Sequence, residues 1–305
     1  MHNKILKLMK RVILLIAIFS FINCTSESEG RDSTKVKTNS GHFEYISSVK
    51  LPESLSWCGE EVPLEIEEVR ERAEREFYLL LQQPGQLMLY IKRSGRYFPV
   101  FERIIKEHGM PDDLKYLSVA ESALYMSRSS KGAVGLWQFI PATARSMGLV
   151  VNDLIDERRN VEKSTKAAMK YLKQGYKAQK SWMMAAAGYN MGHTNLNYGV
   201  KLQQSDYYFD LFLNDETSRY IFRIVIIKEL MKNAEKYGLI VEEDEKYKPY
   251  TSKKVIVDTR VRNIADWARQ QGTTYKYVKL YNPWILKKEL PKPRNNNIWV
   301  VEIPK

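Results

Sequence analysis

Leu114-Lys115-Tyr116-Leu117-Ser118-Val119-Ala120-Glu121-Ser122-Ala123-Leu124, followed shortly by Gly132-Ala133-Val134-Gly135-Leu136-Trp137-Gln138-Phe139-Ile140-Pro141, is the stretch on which the fold of this chain turns. Leu114, Leu117, Glu121 and Leu124 recur at helical spacing and share one face of a helix. A carboxylate therefore sits inside an apolar stripe. In one reading it marks the edge of the stripe with its head in water, because Glu is almost never fully buried unless paired. In the other it is a desolvated carboxyl with a raised pKa, as a general acid needs at neutral pH.

Outward from this stretch the chain is helical. Ile66, Val69, Ala73, Phe77 and Leu80 keep helical spacing until Pro84-Gly85 ends the segment. A second helix is predicted over 98–108 with Gly109 as its stop, and Pro111-Asp112-Asp113 supplies caps for the Glu121 helix. Pro141 opens a helix that Gly148 closes, 163–173 reads as another, and Ser181 caps a Met- and Ala-rich one over 182–190. Asp215 or Thr217 caps a long helix to Tyr237, closed by Gly238, with Ile221, Ile224, Val225 and Leu230 on a broad apolar face. Strand signals are nearly absent, so 61–245 is predicted to be an all-α domain. Composition changes at Glu242-Glu243-Asp244-Glu245. Beyond it, strand-like Val255-Ile256-Val257, a helix over 263–271, a second helix capped by Thr273 or Thr274, and a closing strand at 298–303 give a βααβ module over 246–305. The predicted class is mainly α, with this small module appended.

The 305 residues are 44% hydrophobic and 28% charged, enough for one large domain or two smaller ones. Of the net charge of +12, Lys4, Lys7, Lys10 and Arg11 belong to an N-terminal segment without acids, and setting them aside leaves +8. Such an excess fits a polyanionic partner or simple solubility. The basic residues are dispersed and no nucleic-acid-binding motif accompanies them, so no nucleic acid is expected. A basic start and the apolar run 12–22 suit an export signal over 1–23, being too short to span a bilayer comfortably. Cys24 follows, and the segment then resembles a bacterial lipoprotein signal whose Cys is acylated, although Ile22 and Asn23 are larger than the usual residues there; plain secretion and a retained anchor are the alternatives. Polar residues 25–41 cannot build a core, so 24–60 is expected to be a tether. With Cys24 lipidated, Cys58 has no disulfide partner, and His2, His42, His108 and His193 lack metal-ligand spacing. No metal and no cofactor is expected.

Three ordered motifs carry a resemblance: Glu121-Ser122-Ala123, the string Gly132 to Gln138, and Ala186-Ala187-Gly188-Tyr189-Asn190-Met191-Gly192. Together they resemble the lytic murein transglycosylases with a goose-lysozyme-like catalytic domain, over about 64–240. The resemblance implies a lysozyme-like helical fold with Glu121 as catalytic acid and base. It also implies substrate contacts from Ser130 (or its neighbour Ser129), Gln138, Tyr189 and Asn190. The family commonly has Ala where Gly188 stands, a change expected to loosen helix packing more than chemistry. Flanking glycines let backbone approach a ligand, so Trp137, Phe139 and Ile140 read as cleft wall. The C-terminal module resembles LysM glycan-binding domains weakly: Val257-Asp258-Thr259-Arg260-Val261 replaces the usual start, while Ile264-Ala265 and Tyr281-Asn282-Pro283 match. It reads as a binder of N-acetylglucosamine-containing glycan or as an appendage that has lost binding.

Ordinary glycoside hydrolysis uses two carboxylates across the scissile bond. No second acid lies within the motifs, and the nearest are Asp112 and Asp113 at the far end of the helix. A lone carboxyl suffices if the substrate supplies the nucleophile. In the mechanism the resemblance implies, the C6 hydroxyl of N-acetylmuramic acid closes a 1,6-anhydro ring. The implied partners are peptidoglycan strands, a membrane through the N-terminal lipid, and wall amidases or synthases. The implied location is the cell envelope, on the outer membrane facing the periplasm.

Overall fold

The computed structural model describes residues 48–294 and 297–305, which belong to one compact unit. The expected export signal, the acylated Cys24 and the polar tract 25–41 lie outside the described residues. Among the described residues no helix is long and apolar enough to cross a membrane.

The far end of the expected tether is part of the fold. Leu51, Leu55 and Trp57 are buried, and a hairpin pairs β1 (Ser56–Trp57) with β2 (Glu60–Glu61). Trp57 Nε1 donates to the Asp113 carbonyl at 2.9 Å, and the Cys58 amide to Asp113 Oδ2 at 2.9 Å. The short apolar positions between 49 and 57 are too sparse to register as an element, yet they have a core to join.

Helix α1 (Glu67–Leu81) buries Val69, Ala73, Phe77 and Leu80, as its spacing predicts, while Ile66 stands before it and is exposed. Pro84-Gly85 does end this helix, but Pro84 also opens the next. Helix α2 runs Pro84–Glu107 and takes Pro99 in its interior, so the helix predicted over 98–108 is only its last part. Proline at the first helical position loses an amide that has no partner there anyway. Helix α3 (Lys115–Ser122) follows a single 3₁₀ turn at Asp112–Leu114, and neither aspartate caps it. Asp113 accepts from Lys228 Nζ at 2.7 Å, and Asp112 pairs with Lys115. The helix is also shorter than its stripe. Ala123 (φ 55°) and Leu124 (φ 53°) are left-handed, so Leu124 reaches the core from beyond the last turn.

Helix α4 (Pro141–Ser146) is followed by α5 (Val161–Gln179), which packs against α6 (Trp182–Met191), whose residues 182–188 are all buried. Ser181 caps α6 by accepting from the Met184 amide, and Glu60 of the hairpin accepts from the Ser181 hydroxyl and the amides of Trp182 and Met183. Sequence periodicity does not reveal α7 (His193–Gln203), which buries only Leu196. Helix α8 (Asp215–Lys232) is capped by Asn214, not by Asp215 or Thr217; the predicted extension to Tyr237 is a separate 3₁₀ turn closed by Gly238 at φ 65°.

The C-terminal module has the predicted order. β3 (Ser252–Val257) is followed by α9 (Ile264–Gln270), capped by Asn263, and α10 (Tyr275–Tyr281), capped by Thr274. β4 (Trp299–Pro304) returns antiparallel to β3 with Val255 opposite Val301. Its core of Ile264, Ala268, Val278, Trp284, Leu290, Val301 and Ile303 takes in one residue from the helical part, Ile155, which is fully buried there. Backbone bonds flank that insertion, from the Asp156 amide to the Trp284 carbonyl and from the Leu286 amide to the Leu154 carbonyl, each 2.9 Å.

Candidate active site

Glu121 lies in the last turn of α3, half-buried, with its side chain in a cleft of about 470 Å³. Beside it Ser118 and Ser122 donate from their hydroxyls to the Leu136 carbonyl, each at 2.9 Å, and so dock α3 against the glycine-containing loop. Tyr220 of α8 donates its hydroxyl to Glu121 Oε1. Burial pushes the Glu121 carboxyl up to about 7; the Tyr220 bond opposes this, the charge of Glu216 adds to it, and Arg223 opposes it. Desolvation disfavours the charged form, while a donated hydrogen bond favours it.

The loop facing Glu121 is held from behind. Arg158 pairs with Asp156 through Nε (2.8 Å) and Nη2 (2.9 Å), and its Nη1 donates to the carbonyls of Gly132 and Phe139, each at 2.9 Å. Gly135 (φ 89°) lies so near that a Cβ there would stand 2.2 Å from the Arg158 carbonyl oxygen. A side chain is therefore excluded at this position by both conformation and space.

The cleft brings the expected residues together: Glu121, Ser130, Gln138, Ile140, Tyr189 and Asn190 all line it. Ser129 also lines it, but its hydroxyl oxygen accepts from the Ala133 amide at 3.1 Å, while the Ser130 hydroxyl has no partner among the described residues. Gln138 stands at φ 46°, and its side-chain amide donates to the Gly135 carbonyl at 2.8 Å and Ser127 Oγ at 3.2 Å. Ile140 is exposed on the wall. Tyr189 donates to the Trp137 carbonyl at 2.6 Å, and Asn190 Oδ1 accepts from Thr217 Oγ1 at 2.7 Å. Trp137 itself is no cleft wall. Its ring is fully buried, 5.0 Å from Phe101, and its Nε1 donates to Thr165 Oγ1 at 2.9 Å. Phe139 is buried too, and reaches the cleft only as an edge packed on Tyr171 and Tyr189.

Residues from α8 complete the site and carry no motif. Glu216 accepts from Asn190 Nδ2 (3.3 Å) and from Lys131 Nζ (3.0 Å) on the opposite wall. Hydrogen bonding to Lys131 holds its carboxyl below the usual range. Glu216, Tyr220 and Arg223 stand at i, i+4 and i+7 on one face of the helix, and that spacing was the available signal. Asp112 and Asp113, the acids nearest in sequence, do not line the cleft. A larger groove of about 660 Å³ runs past Lys163, Lys166, Lys170 and Lys173 on the outer side of α5. Its carboxylate, Glu157, is taken by Lys163 and the Val150 amide, so volume alone does not choose the site. Among the described residues no group of three or more His, Cys, Asp or Glu side chains is placed to hold a metal ion.

A carboxyl poised near neutrality at the floor of a helical cleft, facing a glycine-containing loop and a Tyr-Asn pair, coincides with a family match. Residues 99–210 match the Transglycosylase SLT domain, and residues 253–305 match the soluble lytic transglycosylase C-terminal LysM-like domain. The chain carries an SLT domain. The chain is similar to membrane-bound lytic murein transglycosylase D of Escherichia coli (strain K12), at 24% identity over 294 residues. That alignment covers 90% of this chain, and the chain spans 64% of the relative's length. A putative tributyltin chloride resistance protein of Alteromonas sp. (strain M-1) is 32% identical over 105 residues, 33% of this chain and 51% of that protein. Every expected cleft residue falls within the matched SLT segment, whereas Glu216 and Tyr220 lie just beyond it.

Proposed function

We propose that the protein is a peptidoglycan lytic transglycosylase that cleaves the β-1,4 bond between N-acetylmuramic acid and N-acetylglucosamine and leaves 1,6-anhydro ends. The observation that carries this reading is Glu121, half-buried, with a pKa of about 7 and a tyrosine hydroxyl on one oxygen. Near neutral pH a large share of the carboxyl is protonated and can give its proton to the bridging oxygen as the bond to C1 breaks. The ion left behind then takes the proton of the C6 hydroxyl while that oxygen bonds to C1 and closes the anhydro ring. Water is not consumed. Tyr220 stabilises the ion between the two transfers, so one group serves as acid and then as base.

A hydrolytic muramidase is the second reading, because Glu216 puts a second carboxylate in the cleft. Its pairing with Lys131 and Asn190 makes it a poor base for activating water, which favours the lytic reading. Digestion of purified sacculi by the protein, followed by mass spectrometry of the muropeptides, separates them. Anhydro ends are expected; reducing-end N-acetylmuramic acid without anhydro product rules the lytic reading out. Glu121→Gln should lower turnover by roughly 10²–10⁴-fold while sacculus binding survives; unchanged turnover would remove Glu121 from the reaction, and a parent that binds sacculi without cleaving them would be a wall-binding protein without catalysis.

In this reading Ser130, the free carbonyl of Gln138 and Ile140 contact the sugar, Tyr189 and Asn190 shape the cleft beside Glu121, and the C-terminal module holds N-acetylglucosamine-containing glycan. Acylation of Cys24 places the enzyme in the cell envelope, on the outer membrane facing the periplasm, with wall amidases and synthases as natural partners.

A further inference from the structure

A cavity of about 270 Å³ lies where the helical part meets the C-terminal module, and it shares no lining residue with the Glu121 cleft. Tyr97 comes from α2, Arg159 from the 3₁₀ turn Glu157–Arg159, and Tyr250, Tyr281 and Trp284 from the C-terminal side. Its charge is cationic, with Arg96, Arg103, Arg159 and Lys254 against Glu162 and Glu302.

Most of these charges are engaged. Arg103 pairs with Glu107 and Glu162, Lys254 lies 3.8 Å from Glu162, Glu302 accepts from the Ser252 hydroxyl, and Arg96 lies 4.4 Å over the Tyr250 ring. Arg159 has only a long ion pair to Asp156, a carboxylate that Arg158 already occupies with two hydrogen bonds. Its Nε is buried without an acceptor, and its guanidinium makes no hydrogen bond among the described residues. The nearest carboxylate oxygen, Asp156 Oδ2, is 3.9 Å away and already accepts from Arg158 Nη2. A buried donor without an acceptor keeps its full desolvation penalty. The group that matches the planar guanidinium fork is a carboxylate or another flat anion.

We propose that this cavity binds the free carboxylate of a short peptide, with Arg159 as its ligand and the stacked pair Tyr250–Tyr281 (4.8 Å) and Trp284 as walls. The volume is just under the range of small-molecule pockets, about 300–1,000 Å³, so it accepts one or two residues and not a glycan chain. The rings favour a peptide terminus over a bare inorganic anion, because they offer apolar surface that only the peptide can cover. The identity of that peptide rests on the function proposed above: it is the stem peptide of wall glycan, held at a second point while the sugar lies in the cleft.

Calorimetric titration of the full chain with the tetrapeptide Ala-γ-Glu-Lys-Ala, with the same peptide amidated at its carboxylates, and with inorganic phosphate tests this. The free peptide is expected to bind, and the amidated peptide and phosphate to bind at least about tenfold more weakly. Arg159→Gln should weaken the peptide by a similar factor. Val300→Trp, which fills the cavity and leaves its charges in place, should do the same, and Glu121→Gln should leave binding unchanged. Equal binding of the amidated peptide, equal affinity in Arg159→Gln and Val300→Trp, or phosphate binding as tight as the peptide's overturns the proposal. A chain that digests sacculi and fails to bind the peptide refutes the cavity alone. One that binds the peptide and leaves sacculi intact refutes the catalytic reading alone.

Discussion

At Glu121 burial and a tyrosine hydroxyl pull the same proton in opposite directions. Folding raises this pKa from 4.5 to about 7, so between those values the folded state keeps a proton that the unfolded chain releases. The stability tied to the carboxyl is whole below about pH 4.5 and lost as pH rises through 7. Glu121→Gln removes the penalty. Denaturant unfolding should find the variant level with the parent at pH 4 and more stable at pH 8, by on the order of 1–3 kcal/mol; equal stability at pH 8 would contradict a desolvated carboxyl. Tyr220→Phe deletes a donor to the ionised form and so raises the pKa further. The alkaline limb of the activity profile should move to higher pH by on the order of one unit, with turnover about tenfold or more below the parent. A limb that stays in place would show that the hydroxyl does not bear on the proton.

At the scale of the element, α6 and α7 meet through a slot with no room for a methyl group. The His193 ring is tilted against Tyr171 with centroids 4.3 Å apart and lies against two glycines; a Cβ on Gly188 would stand 2.2 Å from His193 Nδ1, and one on Gly175 2.5 Å from its Cε1. The glycine expected to loosen packing instead permits a close approach. Gly188→Ala should cost about 1–3 kcal/mol in thermal or denaturant unfolding, and His193→Ala should restore part of the loss in the double variant. If the two losses simply add, the slot is not what demands glycine. Residues near each other in sequence were legible: Ser181 caps its helix as predicted, Thr274 is the member of the pair Thr273 or Thr274 that caps, and the three motifs converge on one cleft. What stayed hidden depended on distant contacts. α7 has a single buried apolar residue and so no periodicity, and Tyr220 acquires its role only because α8 folds back over α3.

For the molecule as a whole, the expected boundary at 242–245 rests on a change in composition, whereas the junction between the helical part and the C-terminal module left no such mark in the sequence. Ile155 precedes that boundary by many residues and belongs to the core beyond it. Nothing in its local sequence distinguishes it from any buried isoleucine. Ile155→Ala leaves a void in the small core and should lower stability by about 2–4 kcal/mol. Because Asp156 and Arg158 next to it hold the cleft loop, the loss should appear in one cooperative transition monitored by both tryptophan fluorescence and circular dichroism. Two separate transitions would mean that the modules unfold independently.

The backbone bonds around Ile155 also bear on how two weak sites can add up. Sites joined by a slack linker raise each other's effective concentration over a whole sphere of orientations, and the gain falls as the linker lengthens. In the two-site reading proposed above, the peptide cavity is clamped against the cleft and would gain from fit more than from search. A strand whose repeat matches the fixed offset would then be held with avidity, and one that does not match by a single site. On that proposal the joint would act as a ruler, selecting among substrates by spacing before any bond is broken.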